Sequence, residues 1–260
     1  MFRKKNDAIF SFCFLRYVIA QSFEEIKHAF LRLLHLFLPG RYGCVINDIH
    51  RQGFSIIRGA MSLEDIAAIR MEIKKSIEPL LSDANQPDLS RLSGSVRFRR
   101  PEKYSILFKA LLRDFRWILV NLIYTGKFQG PVLMLSFTER MNDEAIEIFA
   151  DHPHFDSYRH QLKVVLALSD VADHSGPTEF AAKSPKFHFR YWREYFSSWL
   201  SEHGYIEDKT KTISIDYFLK FGTAKKAVIS AGDIFLFDSR HLHRASELTQ
   251  GNREILWFYF

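Results

Sequence analysis

Across the first forty residues, apolar side chains return every third or fourth position: Ile26, Phe30, Leu33, Leu34 and Phe37, with Glu24, Lys27, Arg32 and His35 between them. That spacing predicts an amphipathic helix. Pro39-Gly40 ends it, because proline lacks the N–H that the helical ladder needs. The polar positions carry acids as well as bases, which favours a helix packed on the body over an arm laid on a membrane or a partner. Next, Gly53 to Gly59 encloses the short apolar run Phe54-Ser55-Ile56-Ile57, read as a strand. A helix follows from about Ser62, with Asp65 three residues on as its capping partner. Residues 82–103 gather Asp, Asn, Pro, Ser and Gly and are read as a loop. Tyr104 to Tyr124 is rich in Leu and Ile but is interrupted by Lys109, Arg113, Asp114 and Arg116, which predicts a buried helix with one wet side.

After residue 124 the rhythm changes to short apolar runs between turn residues: Pro131–Thr138, Gln161–Val171, Thr178–Ala182, Lys226–Ile229, Ile234–Asp238 and Ile255–Phe260. Helices first and strands afterwards predict a β-sandwich or jelly roll with helices packed outside it. From about 185 to 225 a charged, aromatic stretch breaks the strand rhythm and reads as a helical insertion placed to act as a lid. The expected organisation is an amphipathic helical arm over 1–45 and one β domain over 46–260.

Composition narrows the function classes. The 260 residues are 47% hydrophobic and 25% charged, with 12 Gly and 8 Pro, so the chain is globular rather than disordered or repetitive. Thirty-six basic residues against 30 acidic give a net charge of +6. The excess permits an anionic substrate, phosphate or an acidic membrane surface, but it is too thin and scattered to establish any of them, and no nucleic-acid partner is expected. Cys13 and Cys44 are too few for a disulfide framework or a multi-cysteine metal site, so a reducing cytoplasm is the expected compartment. No stretch serves as a membrane span: the apolar run Ala8–Ala20 is short and holds Arg16 in its middle.

Chemistry concentrates at two histidine clusters. In His152-Pro153-His154-Phe155-Asp156, an extended backbone points residues i and i+2 to one side, so His154 and Asp156 can grip one ion. The second cluster, Arg240-His241-Leu242-His243-Arg244, follows the apolar run Ile234–Phe237. Two histidines and a carboxylate with open coordination positions are the ligand set of non-haem Fe(II) oxygenases, where a co-substrate and dioxygen must both reach the metal. A lone H-x-D is common by chance, so its surroundings decide its meaning.

Those surroundings resemble the phytanoyl-CoA dioxygenase family of Fe(II)/2-oxoglutarate oxygenases. His154 to Phe180 reads HFDSYRHQLKVVLALSDVADHSGPTEF, an H-x-D followed by an apolar strand, a Leu-x-Asp-Val turn and a Gly-Pro before the next strand. Toward the end stand Gly232-Asp233-Ile234-Phe235-Leu236-Phe237-Asp238, then His243 eleven residues after Gly232, then Arg253 ten after His243. The resemblance covers roughly 50–260 and implies a double-stranded β-helix (jelly roll), mainly β with flanking helices. It implies Fe(II) on His154, Asp156 and His243, and Arg253 on the distal carboxylate of 2-oxoglutarate. Lys163 would reach the co-substrate, and Ser136 and Thr138 would line the site; a solvated strand lysine and ordinary strand residues are the alternatives. His152 and His241 fall outside the ligand set and are expected to be supporting or solvated; His28, His50, His174 and His188 are expected to be structural. The implied reaction uses dioxygen to hydroxylate an unactivated C–H bond of a small-molecule or lipid-like substrate, releasing succinate and carbon dioxide. Asp156 occupies the position that is Ala or Gly in related halogenases, which implies hydroxylation. Two other readings of the residues stand beside it: a cupin-like metal enzyme without oxidation, and a jelly-roll binding protein without turnover.

Overall fold

The computed structural model describes residues 2–35, 41–83, 85–92, 95–139, 152–156, 160–181, 196, 199–200, 203, 218–219 and 223–260. Three helical segments precede and flank the first strand: α1 (Phe2–His35), α2 (Arg41–Gln52) and, after β1 (Phe54–Ile57), α3 (Leu63–Ser76). Ser62 caps α3 as expected, its hydroxyl accepting from the Asp65 N–H at 3.1 Å. A short α4 (Glu78–Leu81) leads to β2 (Leu89–Leu92) and β3 (Ser95–Arg99). Helices α5 (Ile106–Leu112) and α6 (Phe115–Thr125) come next, then β4 (Val132–Glu139), β5 (Leu162–Ala167) and β6 (Thr178–Phe180). The chain closes with β7 (Lys225–Lys226), β8 (Ile234–Asp238), β9 (His243–Ala245) and β10 (Asn252–Tyr259).

The strands form an antiparallel seven-stranded sheet, in the order β1-β8-β5-β10-β4-β3-β2, and a three-stranded sheet, β7-β6-β9. Period-2 alternation sorts the large sheet into two faces. One face, with Leu133, Leu135, Leu162, Val164, Leu166, Leu236, Leu256 and Phe258, packs on α2, α3, α5 and α6 through Ile46, Ile49, Ile66, Ile69, Phe108 and Val120. The other, with Phe54, Val165, Phe235, Phe237 and Ile255, meets Phe180 and Ile229 on the side of the small sheet. Strand β5 is buried along its whole length, because both its faces are covered. The jelly roll with flanking helices is therefore the fold.

Four local expectations need correction. Residues 82–103 are not a loop throughout: β2 and β3 form a hairpin there and pair onto β4. The Ser, Gly and Asn content masks an alternation that sends Phe98 into the core while Ser95, Arg97 and Arg99 face the other way. The 104–124 helix is two helices, α5 and α6, with the break at Arg113-Asp114. Helix α2 was not expected; it runs across position 45, and its Val45, Ile46 and Ile49 belong to the core. Helix α1 is packed, but not by its apolar stripe. Its buried side is Cys13, Tyr17, Gln21 and His28, whereas Ile26, Phe30 and Leu33 are 60–67% exposed. Most of the expected insertion over 185–225 lies outside the described residues. Among the described residues no helix is long and apolar enough to cross a membrane.

Candidate metal and co-substrate site

Asp233 and Gly232 set the start of β8, the strand that leads to the second histidine cluster. Gly232 has φ +86, and a Cβ there would lie 2.5 Å from the Met61 carbonyl oxygen, so glycine alone fits. Asp233 accepts hydrogen bonds from the Gly59 N–H at 2.8 Å and the Ser230 N–H at 2.9 Å, and pairs with Arg58 at 2.6 Å. This clamp joins the ends of β1 and β8 and makes the Gly-Asp pair of the sequence a structural device.

Beyond β8 the chain turns back and His243 opens β9. Its backbone bridges His154: His154 N donates to His243 O at 2.9 Å, and His243 N to His154 O at 3.1 Å. The two histidine-bearing segments are thus tied face to face, and Asp156 is fixed next to them by its N–H to the Ser239 carbonyl at 3.0 Å. His154, Asp156 and His243 bring one ligand atom each within 4.8 Å of one another. The Nδ1 of His154 bonds the His152 carbonyl at 2.8 Å, and the Nδ1 of His243 bonds the His241 carbonyl at 2.7 Å. A carbonyl only accepts, so each Nδ1 is the donor, and Nε2 is the ring nitrogen left to turn toward a metal. Those Nε2 atoms face Asp156, at 3.9 Å from Oδ1 for His154 and 3.2 Å from Oδ2 for His243.

Electrostatics suit the same end. Burial lowers the His154 pKa to about 4, with His243 adding to the effect, so its imidazole is neutral at pH 7. Burial alone would raise Asp156, but Lys163 and His243 outweigh it and hold the carboxyl well below its usual range. Lys163 Nζ sits 2.7 Å from Asp156 Oδ2 and 5.1 Å from the centre of the Tyr259 ring. Asp156 is an anion, and both histidines turn Nε2 toward it. The donor set fits a divalent ion of the Fe(II) type with coordination positions to spare.

The triad opens into a cavity of about 870 Å³, whose walls include Ser136, Lys163, Arg253, Trp257 and Tyr259. Arg253 NH1 donates to the Gly176 carbonyl, and NH2 approaches Thr138 Oγ1 at 3.5 Å. Thr138 itself is buried behind Arg253 and is not part of the wall. Six of the seven expected residues therefore line one space, and the seventh supports one of them. His241 is not solvated. It is buried, its pKa is lowered by burial to about 4, and its ring fills the space where a Cβ on Gly53 would lie, 2.1 Å away. His152 is exposed and contributes only its carbonyl. Arg97 and Arg99 also line the cavity and were missed, because their strand was read as a loop. The Val96-Arg97-Phe98-Arg99 alternation was the available signal.

The model of the family "Phytanoyl-CoA dioxygenase (PhyH)" matches residues 49–255. The chain belongs to the phytanoyl-CoA dioxygenase family. Among solved structures, the epimerase SnoN, in complex with Fe3+, alpha ketoglutarate and nogalamycin RO, is similar at 16% identity and TM-score 0.59, over 84% of this chain and 82% of that one. AviO1 from Streptomyces viridochromogenes Tue57 is 14% identical with TM-score 0.57, over 85% of this chain and 95% of that one. HygX from Streptomyces hygroscopicus, with nickel and 2-oxoglutarate bound, is 16% identical with TM-score 0.52, over 85% of this chain and 87% of that one. Identities this low speak for the fold. Among curated proteins none matches the sequence significantly. The expected dioxygenase family and the jelly roll are both borne out, and membership makes the chain an enzyme of the non-haem iron, 2-oxoglutarate-dependent class.

Proposed function

We propose that this enzyme hydroxylates an unactivated C–H bond of a small molecule, with Fe(II), 2-oxoglutarate and dioxygen, and releases succinate and carbon dioxide. The observation that carries this is the triad itself: two histidines whose Nδ1 protons are both held by carbonyls, with an ionised Asp156 between their Nε2 atoms. When bound, Fe(II) with 2-oxoglutarate supplies the oxidising chemistry, in which dioxygen splits between succinate and the hydroxylated product. His154, Asp156 and His243 would hold the metal. Arg253, steadied by the Gly176 carbonyl and Thr138, would take the far carboxylate of 2-oxoglutarate in its planar fork. Lys163 keeps Asp156 ionised and would reach the co-substrate from the inner face, with Ser136 on the neighbouring wall. Trp257, Tyr259 and Phe237 surround the Lys163 ammonium and restrict water around it.

The neighbours SnoN and HygX have structures with nogalamycin RO and hygromycin B bound, in line with a small-molecule substrate here. The test is anaerobic addition of Fe(II) and 2-oxoglutarate, followed by air and a pool of candidate metabolites. Wild type should give the metal-to-ligand charge-transfer absorption and then succinate, and Asp156→Ala should give neither. Absorption without succinate would favour a non-catalytic binder, and metal binding without absorption a cupin-like enzyme. The cytoplasm is the compartment we propose. A peripheral contact with an anionic membrane, and with it a lipid-like substrate, has one observation in its favour: the outward stripe of α1, with Phe12, Leu15, Ile19, Phe23, Ile26, Phe30 and Leu33 all exposed.

A further inference from the structure

β3 is an amphipathic strand whose polar side faces the cavity. Phe98 is fully buried in the helix-covered core beside Leu133 and Leu135. Arg97 and Arg99 pair across with Ser136 and Met134, and all four line the cavity. Inner-face positions on β5, β8 and β10 are mainly apolar or aromatic, as Val165, Phe235, Phe237, Ile255 and Trp257 show. Two inward arginines on one strand need a reason, since a guanidinium half-buried as that of Arg97 is costly without a partner.

The charges in the cavity do not supply that partner. Among the described residues six cationic side chains line it, against the carboxylates of Asp88 and Asp156. Asp156 is paired with Lys163 at 2.7 Å, and Asp88 with Lys103 at 2.8 Å and with the Tyr104 hydroxyl at 3.1 Å. Arg244 is neutralised by Glu179 at 2.6 Å, and Arg253 has the co-substrate role above. Arg97, Arg99 and Arg100 remain, and among the described residues none of them is in an ion pair. Arg100 turns the chain at the cavity mouth in a left-handed conformation, φ 55 and ψ 49, that a side chain rarely adopts. A divalent metal and a doubly charged keto acid cancel one another, so filling those two sites leaves the positive excess as it was. At about 870 Å³, the cavity also has room for a second organic molecule beside a small keto diacid.

We infer that the substrate is a small molecule bearing a phosphate or carboxylate, which Arg97 and Arg99 hold at the β3 side of the cavity while its reacting carbon lies at the triad. This rests on the oxygenase reading for the reaction, but not for the anion site. The guanidinium forks suit the oxygen pairs of either anion. The anchor is made at a distance from the reacting bond, so it orients the substrate without entering the chemistry.

Calorimetric titration with hexyl phosphate, hexanoate and hexanol tests it, on the anaerobic protein loaded with Fe(II) and 2-oxoglutarate and again on the metal-free protein. Wild type should bind one or both anions saturably and hexanol at least tenfold more weakly; which anion binds names the source. The Arg97→Gln/Arg99→Gln protein should lose at least tenfold in anion affinity while its 2-oxoglutarate affinity stays within twofold. Arg97→Lys/Arg99→Lys should keep part of the anion affinity, which separates lost charge from a damaged fold. Binding of none of the probes by wild type, equal anion binding by the glutamine variant, or equal binding of hexanol would overturn the inference. So would a fall in 2-oxoglutarate affinity in the glutamine variant, which would assign the arginines to the co-substrate. If wild type shows no charge-transfer absorption, the oxygenase reading fails by itself, and the metal-free titration still decides the arginines.

Discussion

Arg253 shows how much a single side chain can be asked to do. It lies on β10 opposite Thr138, and its guanidinium reaches Gly176 across the cavity. If it anchors the far carboxylate of 2-oxoglutarate, Arg253→Ala removes one partner of a charge-assisted pair, a loss of about 2–5 kcal/mol. The dissociation constant for 2-oxoglutarate should then rise roughly tens- to thousands-fold, read from the charge-transfer absorption, while iron content stays constant. Arg253→Lys should recover only part, since a point charge cannot reproduce the fork. A twofold change or less would return Arg253 to an ordinary strand residue.

At the scale of elements, α1 holds two opposed faces. Inward, Glu25 meets the buried Arg240, His28 stacks on His160 with ring centres 3.5 Å apart, and Tyr17 packs on Phe196 and Trp199. Outward, Phe12, Ile19, Ile26 and Leu33 recur at seven-residue intervals, so a straight helix keeps them on one side. Arg16 edges that side over the Phe12 ring, while Glu24 and Glu25 are engaged by Lys27 and Arg240. An apolar stripe with a basic residue at its edge and its acids already paired suits an anionic bilayer surface better than a coiled-coil partner, which favours charges of both signs at its margins. Co-sedimentation with phosphatidylserine-containing vesicles should therefore exceed that with neutral ones and weaken with salt. Ile19→Glu/Ile26→Glu should abolish it without loss of iron binding. Concentration-dependent dimerisation without vesicle binding would show that the stripe meets a second copy instead.

Three buried histidines give the whole molecule an acid sensitivity of its own. Burial lowers His28 to about 2 and His154 and His241 to about 4, against an ordinary value of 6.5. The unfolded chain therefore binds protons that the folded one refuses. Their contribution is fully present above pH 6.5 and is lost as pH falls through the window down to about 4. Each such histidine costs about 1.4 kcal/mol per pH unit inside that window. Urea midpoints of the metal-free protein should fall between pH 6.5 and 5, well above the range where ordinary carboxylates titrate, and His28→Gln should flatten the fall. An unchanged midpoint over that interval would show that these histidines protonate within the fold.

The strand runs of the second half were legible in their local patterning, and the triad and Arg253 in the family resemblance that their spacing carries. An H-x-D on extended backbone places two ligands by itself, and the Gly232-Asp233 turn announces β8 through residues that only that turn requires. The apolar runs named the strands because burial on two faces leaves no polar positions to confuse them. Tertiary structure decided what depends on remote partners. Which side of α1 is buried is set by Arg240, His160 and Trp199, more than a hundred residues away, and not by where its apolar residues are densest. The β2–β3 hairpin, poor in apolar residues, is a sheet edge only because β4 offers it a ladder. His241 reads like a surface residue in its basic sequence neighbourhood and is buried because Gly53 leaves room for its ring. Sequence spacing fixes local geometry; burial depends on which distant segments arrive to cover it.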